Sequence, residues 1–119
     1  MTRDECVELV TGHCSNRNLF KHMLATEAVM KRLADRLGED ADAWARAGLV
    51  HDLDYDETAD DPSRHGLVSA EKLEELGFPE GIIHAVKAHN EHAPRETPMD
   101  RALYASDPVT GLIVASALM

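Results

Sequence analysis

Residues 18–37 read Asn18-Leu19-Phe20-Lys21-His22-Met23-Leu24-Ala25-Thr26-Glu27-Ala28-Val29-Met30-Lys31-Arg32-Leu33-Ala34-Asp35-Arg36-Leu37. Phe20, Met23, Leu24, Ala28, Val29, Met30, Leu33, Ala34 and Leu37 recur at steps of three and four, the period of a helix and not the alternation of a strand. Gly38 supplies the left-handed residue that stops it. Upstream, Thr2-x-x-Glu5 is a capping-box pattern ahead of Val7, Leu9 and Val10, a short first helix closed by Gly12. Downstream, a third helix runs from about Asp42 through Trp44, Ala47, Leu49 and Val50 toward Leu53. The acidic stretch Asp54–Asp61, with Pro62 behind it, reads as a solvated loop. A fourth helix spans about Ser63–Leu76 before Gly77. Pro79 suits the first turn of a fifth that carries Ile82, Ile83, Val86 and His89, and a sixth begins near Met99 after Pro94 and Pro98. With no strand-like alternation, internal repeat or low-complexity tract, the expected fold is all-α, a compact bundle of five to six helices.

The 119 residues are near the commonest size of one domain, so residues 1–119 are expected to share one core. Twelve Lys and Arg against 22 Asp and Glu give a formal charge of −10. Such a chain repels polyanions and anionic bilayers, which argues against non-specific nucleic-acid binding and a membrane partner. Cys6 and Cys14 form no C-x-x-C pair, and the acidic start Thr2-Arg3-Asp4-Glu5 is unlike a signal peptide, so a cytoplasmic setting is expected. The last residues, Leu112-Ile113-Val114-Ala115-Ser116-Ala117-Leu118-Met119, form an apolar run without a cap. It reads either as a helix cut mid-course, a C-terminal truncation, or as a terminal helix packed on the core or against a homodimer partner.

Seven histidines in so short a chain are the unusual feature, five of them between His51 and His92. His22 shares a helical face with Thr26, Val29 and Leu33, so it points inward, where an unpaired imidazole is costly and a metal relieves the cost. His51-Asp52 follows Ala47-Gly48-Leu49-Val50. Taken alone, the dipeptide reads as a helix-end cap. Together with His22, His65, His89 and Asp107, each on a different predicted helix, it makes the kind of set from which a site inside a bundle is built. Pro108 after Asp107 is the pattern of an N-cap followed by proline, so a local break is expected to present that carboxylate inward.

These residues resemble the HD-domain metal-dependent phosphohydrolases, whose signature is a helical His, a His-Asp dyad and a distant Asp. The likeness covers about Phe20 to Ala115. It implies that His22, His51, Asp52 and Asp107 hold one divalent cation. It also implies, through the stretch Arg64-His65-Gly66-Leu67-Val68-Ser69-Ala70-Glu71 and through His89-Asn90-Glu91, that His65 and His89 join a second. A GYP motif is missing and His89-Asn90 stands where a His pair is usual, so a cyclic dinucleotide substrate is not implied.

Nitrogen and oxygen donors without thiolate suit one or two ions among Mn, Fe, Co, Ni, Zn or Mg. One such ion, or two, can turn bound water into a nucleophile and neutralise phosphate oxygens. Asp52 is the natural bridge, and Asp52 with His51 is the expected catalytic pair. The function so implied is hydrolysis of a small phosphate ester, a nucleotide first among them, with specificity in the loop Tyr55–Arg64. One rival is a metal-binding regulatory or interaction domain without turnover. The others are a plain helical module with incidental histidines and, distantly, oxygen chemistry at two irons. Asp54 and Asp56 are expected to be solvated, His84 to lie on the surface and His92 to border the site. His13 is expected in a loop without a partner, and Arg17, Lys21 and Lys87 to be exposed cations free to meet a phosphate.

Overall fold

The chain order α1 (Arg3–His13), α2 (Arg17–Leu37), α3 (Ala41–Val50), α4 (Leu67–Glu75), α5 (Glu80–His89) and α6 (Pro98–Leu118) makes an all-helical domain in the computed structural model. Residues 2–14, 16–58 and 60–118 are described, with side chains described as far as Thr110. No strand occurs among them. Local chemistry sets the boundaries. Thr2 and Glu5 close a reciprocal capping box on α1, and Asn16 accepts the Asn18 and Leu19 amides at the start of α2. Gly38, at φ 72°, ends α2, and Asp40 accepts the Ala43 amide at the start of α3. The α1 helix runs one residue past Gly12 to His13, whose Nδ1 lies 2.9 Å from the Leu9 carbonyl.

The core is aliphatic. Met23, Leu49, Leu53, Leu73 and Ile82 are fully buried in one cluster, and Met30, Trp44, Ala85 and Leu103 form another. The Cα radius of gyration, 13.0 Å, is close to the roughly 13.5 Å expected for a compact chain of this length. Helix α2 packs along both α3 and α6, while α5 joins α6 to α4. The α2–α3 crossing depends on Gly48: a Cβ there would stand 2.8 Å from the Thr26 carbonyl oxygen and 2.9 Å from the Glu27 nitrogen. The two backbones therefore touch. His22 lies one turn before Thr26 and His51 one turn after Gly48, so this contact delivers both imidazoles to the same place.

Three boundaries differ from the sequence reading. Helix α3 stops at Val50, leaving His51 as its C-cap and residues 51–58 as successive turns. The segment before α4 is a short 3-10 turn, Pro62–Arg64, because Gly66 at φ 89° breaks the path to Leu67. Asp107 lies inside the continuous α6 and not at a break. Pro108 is tolerated because it and Tyr104, whose carbonyl loses its amide partner, are on an exposed face where water can substitute. The expected truncation or homodimer contact at Leu112–Met119 concerns side chains outside the described set.

Candidate metal centre

Six segments deliver one side chain each to one point. His22 comes from the middle of α2, His51 from the end of α3, Asp52 from the turn beyond it, His65 from the end of the 3-10 turn, His89 from the last residue of α5 and Asp107 from α6. His51 is fully buried, and Asp52 and His89 are 4% and 6% exposed, so water alone cannot satisfy them.

Asp107 Oδ1 lies 2.8 Å from His22 Nε2 and 2.9 Å from His51 Nε2. Asp52 Oδ2 lies 3.3 Å and 3.2 Å from the same two nitrogens. On its other side, Asp52 Oδ1 lies 2.9 Å from His65 Nε2 and 3.4 Å from His89 Nε2. The donors thus sort into two groups that share Asp52: His22, His51, Asp52 and Asp107, and Asp52, His65 and His89.

The far nitrogen of every ring explains why Nε2 is the one presented. His51 Nδ1 donates to the Gly48 carbonyl at 2.6 Å, and His89 Nδ1 donates to the Val86 carbonyl. His65 Nδ1 stands 2.8 Å from Asp54 Oδ1, and His22 Nδ1 faces the Thr110 hydroxyl at 3.3 Å. An imidazole whose Nδ1 holds the proton keeps its Nε2 lone pair, which is how protein matrices orient metal-binding histidines. Asp54 is itself immobilised, its Oδ2 accepting the Gly66 and Ser69 amides at 2.8 and 2.9 Å. Asn90 Nδ2 donates to the His65 carbonyl at 2.7 Å, and His92 Nε2 meets the same oxygen at 2.7 Å.

The residues fit a divalent cation. Asp52 Oδ1 and His89 Nε2 are buried without a directional hydrogen bond, although each has a polar neighbour within 3.4 Å. Two ligands about 2.1 Å from one ion stand about 3.0 Å apart at an octahedral edge and about 3.4 Å apart in a tetrahedron. The observed separations run from 2.8 to 3.4 Å.

Burial alone would lower His22 and His65, but hydrogen bonds to carboxylates outweigh it and raise both to about 9. His51 is raised despite full burial, by Asp52 and Asp107 together. Burial would raise Asp52, Asp54 and Asp107, yet the facing imidazoles hold all three below the usual carboxylate range. The buried imidazoles and carboxylates thus hold one another in their charged forms.

A model of the HD domain matches residues 19–117. The chain belongs to the HD-domain family. Among relatives of this HD domain, Ribonuclease Y of Nitratidesulfovibrio vulgaris is 31% identical over 96 residues, covering 81% of this chain and 18% of that protein. Ribonuclease Y of Opitutus terrae is 30% identical over 82 residues, covering 69% of this chain and 16% of the relative. Ribonuclease Y of Oleidesulfovibrio alaskensis is 28% identical over 96 residues, 81% of this chain and 18% of its own. The chain therefore spans less than a fifth of the length of these relatives. No solved structure matches significantly.

The HD-domain structure brings together all six expected site residues, His22, His51, Asp52, His65, His89 and Asp107. It corrects the expectation that each lies on its own helix, since Asp52 and His65 are carried by turns. It also corrects the reading of Asp54 as solvated: the residue is fully buried, and Thr58 beside it donates to the Asp54 carbonyl at 2.8 Å. His84 is half-buried against Asp100 at 2.8 Å instead of lying free on the surface. Thr110 was missed. It stands three residues past Asp107 on the same helical face, a spacing that could have revealed it.

The open side of the site is a cleft of about 360 Å³ whose walls include Asn16, Leu19, His22, Tyr55, His65 and Asp107. Among the described residues, no lysine or arginine lines it. Arg17, Lys21 and Lys87 are absent from its walls. Among the described residues, no helix is long and apolar enough to cross a membrane.

Proposed function

We propose that residues 1–119 act as one metal-dependent phosphohydrolase domain, in which His22, His51, Asp52 and Asp107 hold one divalent cation and Asp52, His65 and His89 hold a second. The observation that carries this reading is the common orientation of four imidazoles, each with Nδ1 turned to an oxygen and Nε2 turned to a carboxylate shared between the two groups. The relatives' name, Ribonuclease Y, supports an ester of a nucleotide as substrate, and the net charge gives no ground for excluding RNA. A divalent cation held by such ligands supplies water of lowered pKa and neutralises phosphate oxygens.

The chain's own residues do the rest. His51 and Asp52 are the central pair, consecutive residues directly after the last residue of α3, and Asp52 offers one oxygen to each group. Asp54 keeps the proton on His65 Nδ1, fixing which nitrogen faces the cleft. Because no lysine or arginine lines the cleft among the described residues, a phosphate charge must be met at the ligand cluster itself. That favours esters carrying one or two charges over polyphosphates. The cytoplasmic setting rests on the unpaired cysteines and stays part of this proposal.

The test is hydrolysis of bis-p-nitrophenyl phosphate and of nucleoside monophosphates by protein reconstituted in turn with Mn²⁺, Fe²⁺, Co²⁺, Ni²⁺, Zn²⁺ and Mg²⁺, beside Asp52→Ala. Turnover that requires the metal and disappears in Asp52→Ala is the expected result. Bound metal without turnover of any ester would replace the hydrolase by a metal-binding regulatory domain.

A further inference from the structure

A second cleft adjoins the first. It encloses about 280 Å³ and is lined by Tyr55, Thr58, Pro62, His65 and Asn90. Tyr55 and His65 line both clefts, so an occupant of one reaches the other across only these two side chains. Tyr55 is 50% exposed, in the wall that the two clefts share. It stands edge to face with His65, the ring centroids 5.8 Å apart at 89°. His65 cannot yield to an incoming group, because Asp54 holds its ring and Asn90 and His92 hold its carbonyl.

The backbone next to His65 and Asn90 is equally fixed. Gly66, at φ 89°, packs so tightly that a Cβ would meet Asn90 Cβ at 3.3 Å and His92 Cδ2 at 3.4 Å. Glu91, at φ 66°, turns the chain after α5 so that Asn90 and His92 both reach back to residue 65.

We propose that this cleft is the base pocket of the site: it takes the planar heteroaromatic ring of a nucleotide ester, against Tyr55 and Pro62, while the phosphate lies at the ligand cluster beyond His65. The identity of the ester rests on the hydrolase reading. The lining decides the chemistry. It offers a phenol ring, a proline ring, the His65 imidazole already engaged by Asp52 and Asp54, and two uncharged polar side chains, and among the described residues no lysine or arginine that would hold a second phosphate or an acidic peptide. Its size is just below the roughly 300–1,000 Å³ of pockets that hold drug-sized ligands, which suits one ring system. Stacking on an exposed aromatic side chain tolerates any base, so the pocket selects for a base and only weakly among bases.

The test uses chelator-treated protein, so it does not depend on metal or turnover. Adenosine, which has a base and no phosphate, is titrated against isotope-labelled wild type, Tyr55→Ala and Tyr55→Phe, with ribose as the base-free probe, and amide shifts are followed by NMR. Adenosine is expected to move the Tyr55, Thr58, His65 and Asn90 resonances of wild type and Tyr55→Phe. In Tyr55→Ala binding should weaken by about tenfold or more. Equal binding by Tyr55→Ala, silence at these resonances, or the same shifts with ribose would overturn the proposal. Adenosine binding in a chain that never holds metal would leave the base pocket standing and remove the hydrolase. A metal-loaded hydrolase that is silent to adenosine would do the opposite.

Discussion

Two histidine–carboxylate contacts of similar length, each with one fully buried partner, serve opposite purposes in this molecule. His84 Nδ1 meets Asp100 Oδ2 at 2.8 Å, and His51 Nε2 meets Asp107 Oδ1 at 2.9 Å. Asp100 spends the same oxygen on the helix it starts, accepting the Glu96 and Thr97 amides at 3.0 Å each, and its own amide donates to Thr97 Oγ1 at 3.1 Å. It is a helix cap to which an imidazole has been added. Asp107 has no such duty. Its Oδ1 faces two imidazoles whose opposite nitrogens face oxygen, and Asp52 faces four. A carboxylate committed to backbone amides marks architecture, whereas one surrounded by oriented lone pairs marks a place for a cation.

The largest expected break in that contrast comes from Asp52→Ala. Because Asp52 belongs to both donor groups, both ions should be lost and hydrolysis should fall to background, measured by metal analysis and turnover together.

Asp54→Ala comes next. It frees the Gly66 and Ser69 amides and the His65 ring at once. Affinity for the ion at Asp52, His65 and His89 should fall by about 10- to 100-fold, while the ion at His22, His51, Asp52 and Asp107 is retained. Competition with a fluorescent chelator separates the two.

Gly48→Ala acts through the scaffold. The added methyl would press on the Thr26–Glu27 backbone and should cost about 1–3 kcal/mol, seen as a drop of several degrees in the melting temperature of the metal-free protein. Any loss of metal should follow from displacement of His51 and be recovered at higher metal concentration.

The smallest effect belongs to Asp100→Ala, which removes a cap worth about 1 kcal/mol and leaves metal content unchanged. Burial would raise the Asp100 carboxyl, but the Thr97 and Glu96 amides, with His84, outweigh it and lower it from 3.8. A depressed native pKa stabilises fully above the unfolded value and loses that contribution as pH falls through the native one. The gap in melting temperature between wild type and Asp100→Ala should therefore be constant near neutrality and close below about pH 3.8.

The contrast between the two pairs was only half legible in the sequence. The period of Asn18–Leu37 and the glycine stop at Gly38 are local signals, and they gave the class and α2 almost to the residue. His22 was readable from its place beside the apolar stripe. Its distant partners were readable through their likeness to a family signature, since no local rule joins residue 22 to residue 107. Asp54 was hidden because a run of acids reads as solvated on average, whereas this one carboxylate is fixed by amides 12 and 15 residues downstream. Asp107-Pro108 misled for the opposite reason. The local preference for a cap is real, but the packing of α6 on α2 and α5 overrides it and leaves Pro108 on the exposed face.

The most direct measurement is metal content by mass spectrometry on protein purified without chelator, comparing wild type, Asp52→Ala, His89→Ala and Asp100→Ala. Two divalent ions are expected in wild type and in Asp100→Ala, one in His89→Ala and none in Asp52→Ala. No stoichiometric metal in wild type, even after reconstitution with Mn²⁺, Fe²⁺ and Ni²⁺, or the same metal content in Asp52→Ala as in wild type, would contradict the account.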